Sequence, residues 1–317
     1  MRLVVQVPCL NEEKTLPLVI NSIPKKIDGI DQIEILIIDD GSTDKTVAVA
    51  KKLGVKHFVY HTQNQGLGRA FHDGVLKALE MGADILVNTD GDNQYPQADI
   101  ARLVQPIIKG KADIVVANRQ VHTIKEFSTF KKIMQRLGSR VVNVAAGTNI
   151  PDAASGFRAY SSESLIKLNT VTRFSYCMET IIQAGNKRLK ITSIPIKTNP
   201  KTRESRLFKS DWEHMVKSAV AIVRAYTMYK PYVLFTSLGG ILLVAGTVPF
   251  VRYSWFFLHH VRTGHLQSLL VGSTLLGGAF MCFVLGVLAD LTRTNRMLTE
   301  DQMELVKRTY FLTSKKS

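Results

Sequence analysis

Two carboxylates separated by a single glycine, Asp90-Gly91-Asp92, follow closely on the apolar run Ile85, Leu86 and Val87, and Gln94 stands two residues further on. A short apolar run of this kind reads as a buried strand. Residues i and i+2 of an extended segment point the same way, so Asp90, Asp92 and Gln94 are expected to present three oxygens to one point. Hard oxygen ligands at a strand end suit Mg²⁺ or Mn²⁺, and Mg²⁺ commonly shares such a site with substrate phosphates. Gly91 lets a ligand approach the backbone. The same residue types also make a plain polar turn that satisfies local backbone groups. The rest of the chain decides between the two.

The elements that would position these groups alternate. Strands are predicted at 3–7, 34–38, 55–60, 85–87 and 113–117, with helices from about 15, after 43, over 69–81 and near 98–108. Ser42 or Thr43 is expected to cap the second helix. Alternation of this sort gives a mainly parallel α/β sheet, which binds ligands beyond the carboxyl ends of its strands. Those ends carry Asn11 and Glu12, Asp39 and Asp40, Asp90 and Asp92, and Asn118 and Arg119. Four successive strand ends thus place polar chemistry on one rim. Beyond them, 127–146 has helical spacing with Lys131, Lys132, Arg136 and Arg140 along it, 147–160 reads as a loop entering a strand, 175–183 as a short helix bearing Glu179, and 191–196 as a strand. Arg158 divides evenly between a site role and a structural one.

Residues 232–251 carry no charge, nor do 266–289. Each stretch is long enough to cross a bilayer core. Between Asn186 and Lys230 eleven Lys and Arg stand against three acids, so more than half of the net charge of +15 lies just before the first span. That location suits an anionic membrane surface rather than nucleic acid. Only Arg252 and Arg262 occupy the connection between the spans, which places the catalytic domain and both termini on the cytoplasmic side of an integral membrane protein. Residues 211–230 are amphipathic and are expected to lie at the interface. The expected organisation is 1–210 catalytic, 211–230 juxtamembrane helix, 231–291 two spans with a short outside loop, and 292–317 a cytoplasmic tail. No signal peptide precedes the first strand. Cys9, Cys177 and Cys282 are scattered, which indicates neither disulfide nor zinc chemistry, and the eight His show no ligand spacing.

Val-Pro-Cys-Leu-Asn-Glu12, Ile-Asp-Asp-Gly-Ser-Thr-Asp44, Gln-Gly-Leu-Gly-Arg69, Asp-Gly-Asp-Asn-Gln-Tyr-Pro96 and Ser-Gly-Phe-Arg-Ala-Tyr160 occur in the order seen in glycosyltransferase family 2. The chain resembles most closely its polyprenyl-phosphate glycosyltransferases, the group that includes dolichol-phosphate mannose synthase, over nearly all of the first 210 residues; the two spans resemble those of the membrane-anchored branch. The resemblance implies a GT-A (Rossmann-like) fold, a GDP- or UDP-linked sugar donor, Mg²⁺ or Mn²⁺, and transfer with inversion to a polyprenyl phosphate. It implies that Pro8, Leu10, Glu12, Ile38, Asp40 and Gly66 line the nucleotide, with Asp40 at the base. Asp90, Gly91, Asp92 and Gln94 would then form the metal and diphosphate site. Arg119 and Lys131 fall where the family places cations for the acceptor phosphate. Arg203 and Arg206 resemble a basic loop that closes over the donor diphosphate. Leu10 replaces an aromatic residue of many relatives, Asp-Gly-Asp-Asn-Gln replaces the more usual Asp-Ala-Asp-Leu-Gln, and Lys131 replaces an Arg, which bears on donor identity more than on reaction type. Two other readings stand beside this one. A family-2 enzyme with a sugar-hydroxyl acceptor would need a base, for which Asp152 and Glu179 are candidates. The other is a non-catalytic nucleotide-binding membrane protein. Association into a homo-oligomer is left open.

Overall fold

The computed structural model describes residues 1–121, 129–170, 176–200, 220, 227, 231–259 and 266–314, without the side chains of 129–131 and 312–314. Two compact units result, one of residues 1–222 with 300–317 and one of 223–299.

In the first unit the described elements run β1 (Arg2–Cys9), α1 (Leu16–Ser22), β2 (Gln32–Asp39), α2 (Thr46–Lys52), β3 (His57–Tyr60), α3 (Leu67–Glu80), β4 (Ile85–Asn88), a 3₁₀ turn (Gln97–Asp99), α4 (Ile100–Ile108), β5 (Ile114–Asn118), α5 (Thr129–Ala146), β6 (Arg158–Ser161), α6 (Ser162–Lys167), α7 (Tyr176–Asn186) and β7 (Ile191–Pro195). Seven strands form one sheet in the order β3-β2-β1-β4-β6-β5-β7. β1 pairs in parallel with both β2 and β4, β2 with β3, and β5 with β7. Helices cover both faces, so β1 and β4 are buried along nearly their whole length and their sequences are almost continuously apolar. Leu3, Val5 and Val7 pack with Val87, Leu103, Val115 and Phe157 in the core.

The expected GT-A-like α/β sheet is present, with one departure that matters for the site. β6 runs antiparallel to both β4 and β5, Asn88 lying opposite Arg158. Its beginning, rather than its end, therefore meets the rim where β1, β2, β4 and β5 terminate. That reversal carries Ser155 and Gly156 to the end of β4.

In the second unit α8 (Pro231–Leu258) and the first part of α9 (Leu266–Ser314) are long and apolar enough to cross a membrane, with mean hydropathies of 1.9 and 2.0 in their most apolar windows. Only 11% and 22% of those windows are buried within the protein, which removes the reading of either as a packed soluble core helix. Gly239 packs on Phe283 and Gly246 on Leu276, so the two helices run antiparallel with small residues at the crossing. The tail expected from 292 is a continuation of α9. Its last turns belong to the first unit: buried Lys307 donates to the Leu168 carbonyl and to Asn169 Oδ1, both at 2.7 Å, and Arg308 pairs with Glu163 and Glu304.

Candidate active site

The ends of β1 and β2 are laced together by short polar side chains. Asn11 adopts a left-handed backbone (φ 58°), and its Oδ1 accepts from the N–H groups of Thr43 (2.7 Å) and Asp44 (3.3 Å). Its own N–H donates to Ser42 Oγ at 2.9 Å. Ser42 and Thr43 thus serve this corner and do not cap α2. The helix starts at Thr46, whose N–H donates to Asp44 Oδ1 at 2.9 Å. Buried Glu12 accepts from Thr15 Oγ1 at 2.7 Å, and its N–H donates to Thr46 Oγ1 at 2.8 Å. Pro8 and Ile38 are buried at the ends of β1 and β2, and Leu10 is half-buried beside them.

Asp40 is also buried. Its carboxylate accepts from the N–H groups of Gln65 (2.8 Å) and Gly66 (3.0 Å) and lies 2.7 Å from His61 Nδ1. Three of its roughly four acceptor positions are therefore occupied within the protein. His61 reaches on to Asp73 of α3 at 3.2 Å. The arrangement fixes the glycine-bearing loop that opens α3.

β4 ends at Asn88, and the chain turns at residues 91–93. Asp92 Oδ1 accepts from the Gln94 N–H at 3.0 Å, and Asn93 has φ 61°. The i, i+2 alternation of a strand therefore does not govern where Gln94 points. Its backbone is held instead: the Gln94 carbonyl accepts from the Asn199 N–H at 2.9 Å, while Asn199 Nδ2 donates to the Asn93 and Tyr95 carbonyls at 3.0 and 3.3 Å. Asn199, four residues beyond β7, is a latch on this turn. Gly91 is packed onto the end of β1, where a Cβ would stand 3.2 Å from both Cys9 Sγ and Glu12 Cγ. A side chain at this position would press on Cys9 and Glu12, so glycine lets the Asp-Gly-Asp turn sit close on the end of β1.

The local field is negative. Burial pushes the Cys9 thiol well up, and the charges of Glu12, Asp39, Asp44 and Asp90 push it further. The same charges favour a cation nearby. Among the described residues no three His, Cys, Asp or Glu side chains gather into an all-protein cage. Two carboxylates on one turn in a negative field fit a hard cation that completes its shell with substrate phosphate and water.

Behind Asp90 stands a hydrogen-bonded support. Gly156 donates its N–H to Tyr95 Oη at 3.1 Å, and its carbonyl accepts from Asn88 Nδ2 (2.9 Å) and Tyr176 Oη (3.0 Å). Gln6 Nε2 in turn donates to Asn88 Oδ1 at 2.8 Å. A Cβ on Gly156 would lie 3.1 Å from Tyr176 Oη and 3.4 Å from Asp90 Oδ1, so the Ser-Gly-Phe loop and Asp90 are in direct apposition. Tyr176 stacks on Phe71 of α3 with centroids 3.9 Å apart, and Tyr95 on Phe157 at 5.1 Å. Sequence reasoning passed over Asn88, Tyr95, Tyr176 and Asn199. Asn88 carries a signal: an amide inside an otherwise apolar strand must find partners.

Arg119 follows β5 and is buried against Asp152, with Nε to Oδ2 at 2.7 Å and Nη2 to Oδ1 at 2.9 Å. Its N–H also donates to Asp152 Oδ2, at 3.2 Å. Burial alone would raise the Asp152 carboxyl, but the charge and hydrogen bonds of Arg119 outweigh it and hold the group below the ordinary carboxylate range. Arg158 is structural. It is completely buried and donates to the carbonyls of Ser155, Ala153 and Cys177 and to Thr180 Oγ1. Glu179 is buried on α7, 3.5 Å from Gln183 Nε2. Lys131 belongs to α5, but its side chain lies outside the described residues, as do Arg203, Arg206 and all of 211–230 except 220 and 227.

The model of the glycosyl transferase family 2 domain matches residues 4–168, slightly more than half of the chain and the part that carries every strand end described above except that of β7. The chain belongs to glycosyltransferase family 2. This family-2 chain is 33% identical over 214 residues to a UDP-N-acetylglucosamine–dolichyl-phosphate N-acetylglucosaminyltransferase of Methanococcus voltae, a match covering 61% of this chain and 83% of the relative. It is 29% identical over 206 residues to a polyprenol monophosphomannose synthase of Mycolicibacterium smegmatis, covering 62% and 76%. Among solved structures it resembles glucosyl-3-phosphoglycerate synthase of Mycobacterium tuberculosis, crystallised with Mn²⁺, UDP-glucose and phosphoglyceric acid. The TM-score is 0.55 at 21% identity, over 71% of this chain and 78% of the other. That likeness is one of fold, and it bears out the GT-A expectation.

Proposed function

We propose that this glycosyltransferase moves a sugar, with inversion, from a nucleotide diphosphate donor to a polyprenyl phosphate at the cytoplasmic face of a membrane. The observation that carries the reading is the Asp-Gly-Asp turn seated on the end of β1 in a negative field, in a chain whose relatives act on dolichyl and polyprenol phosphates. The β1–β2 corner receives the nucleotide, and Asp90 and Asp92 face its diphosphate. A divalent cation bound by these carboxylates neutralises the charge that grows on the leaving diphosphate. Mn²⁺ in a fold relative and UDP in relatives of both kinds favour a Mn²⁺- or Mg²⁺-assisted reaction with a UDP-sugar over a GDP-sugar.

In the transfer a phosphate oxygen of the acceptor attacks the anomeric carbon, the bond from that carbon to the diphosphate oxygen breaks, and nucleoside diphosphate departs. A phosphate oxygen is already ionised near neutral pH, so no strong base is needed. Arg119, held in a fixed orientation by Asp152, and Lys131 supply cations for the acceptor phosphate; Arg203 and Arg206 supply them for the donor. A sugar-hydroxyl acceptor would need a base, and Asp152 is poorly suited to be one. Both its oxygens are bonded to Arg119, and its proton affinity is lowered.

The test is incubation of membranes containing the protein with labelled UDP- and GDP-sugars, Mn²⁺ or Mg²⁺, and polyprenyl phosphate. Label that extracts into organic solvent, and is lost in Asp92→Ala, supports the reading. Label appearing only in polymer, or no turnover with any donor, overturns it.

A further inference from the structure

Among the described residues of α1–α7, α5 is the one helix that exposes more than one large apolar side chain. Val142, Ala145 and Ala146 face the interior, while Ile133, Leu137 and Val144 on the opposite side remain 57%, 51% and 55% exposed. At about 100° per residue these three positions fall within some 40° of one another, a single stripe down the outside of the helix. Arg136 and Arg140 flank one side of the stripe, both exposed, and among the described residues neither forms an ion pair. α5 carries Lys131, Lys132, Arg136 and Arg140 and no carboxylate.

Beside the two arginines is a hollow of about 390 Å³, walled by Ser139, Asn143, Thr148 and Asn149. Its far wall is built, not incidental. Asn143 Oδ1 accepts from Thr148 Oγ1 at 3.0 Å and from the Ile150 N–H at 2.9 Å, and its Nδ2 donates to the Ile150 carbonyl at 3.0 Å.

The outer face of α5 thus combines an apolar stripe with arginines that have no ion-pair partner among the described residues. An anionic bilayer surface matches both features, since its headgroup phosphates pair with the cations while its upper acyl region accepts the apolar side chains. We propose that α5 is a second membrane-contacting element, within the catalytic unit itself. Ile133, Leu137 and Val144 insert at the interface, and Arg136 and Arg140 hold an anionic phospholipid headgroup in the adjoining hollow. The inference rests on the membrane anchorage proposed above, and it adds a consequence: the catalytic unit is oriented by its own surface as well as by the spans that tether it.

The experiment uses the full chain with Cys282→Ser, which leaves only the buried Cys9 and Cys177 as native thiols. An environment-sensitive fluorophore is attached at Leu137→Cys or, as a control, at Lys52→Cys on α2. Each protein is placed in nanodiscs of phosphatidylcholine with or without phosphatidylglycerol. The expected result is a blue-shifted Leu137 label that brominated acyl chains quench in the anionic discs, with a Lys52 label unchanged throughout. Arg136→Ala with Arg140→Ala is expected to weaken docking about thirty-fold, at about a kilocalorie per mole for each cation. A Leu137 label that stays solvent-like in disc-embedded protein overturns the proposal. So does a blue shift that lipid bromine does not quench and that grows with protein concentration, which would mark a contact between copies. Entry into the disc is scored separately and reports on the spans alone.

Discussion

Replacing Asp152 with Asn would test the buried pair at the end of β5. The substitution keeps shape and removes charge. In the native chain Asp152 accepts three hydrogen bonds from Arg119, at 2.7, 2.9 and 3.2 Å, with both residues almost wholly excluded from water. Asn has one acceptor oxygen and one NH₂, so one Arg119 donor would face another donor and the guanidinium would keep its charge without a counterion. Breaking a buried pair from one side costs about 3–5 kcal/mol. For a unit of this size each kcal/mol moves Tm by about 2–4 °C, so a fall on the order of 10 °C is expected. The assay is thermal unfolding of the purified full chain in detergent, repeated across pH. Because Asp152 titrates below its unfolded value, its contribution is complete above the unfolded pKa of about 3.9 and is lost as pH falls through the lower, folded value. The gap between native and Asp152→Asn protein should therefore be full at neutral pH and close in acid. Arg119→Met combined with Asp152→Leu removes both charges and should recover most of the loss. A single Asn variant that melts within about 2 °C of the native chain, where each kcal/mol is worth that much or more, would refute the reasoning.

Other outcomes follow from the contacts that support the site. Asn199→Ala removes the two side-chain hydrogen bonds onto the Asn93 and Tyr95 carbonyls, so Mn²⁺ binding, read by titration calorimetry, should weaken several-fold while Tm shifts little. Gly156→Ala forces a methyl to within 3.1 Å of Tyr176 Oη and 3.4 Å of Asp90. It should cost about 1–3 kcal/mol in stability and lower kcat more than it raises the donor KM. Lys307→Met strands the Leu168 carbonyl and Asn169 Oδ1, and hydrogen exchange should then quicken in 162–170 and 300–311 ahead of the sheet.

Much of the rim was legible because it is made of strand ends. The apolar runs at Val4–Val7, Ile35–Ile38 and Ile85–Val87 announce buried parallel strands, and the polar residues that follow each run have nowhere to lie but the rim. What stayed hidden depends on chain direction and on distance in sequence. The reversed β6 brings Gly156 against Asp90, and no local pattern states a strand's direction. Asn199 reaches the Asp-Gly-Asp turn from more than a hundred residues away. The family resemblance puts Asp40 at the base, and no local pattern shows that its carboxylate also accepts from the N–H groups of Gln65 and Gly66. Arg119 and Asp152 were each singled out for chemistry, and spacing gave no sign that they are partners. The last turns of α9 were hidden for the same reason, since nothing near Lys307 and Arg308 in sequence points to Leu168, Asn169 and Glu163, which receive them.

The measurement closest to the central claim is calorimetric binding of UDP to the purified chain with and without Mn²⁺, in native protein and in Asp92→Asn. If Asp90 and Asp92 hold the donor diphosphate through a shared cation, Mn²⁺ should tighten UDP binding at least about ten-fold in the native chain, some 1.4 kcal/mol, and leave the variant unchanged. Equal tightening in both proteins, or none in either, would contradict it.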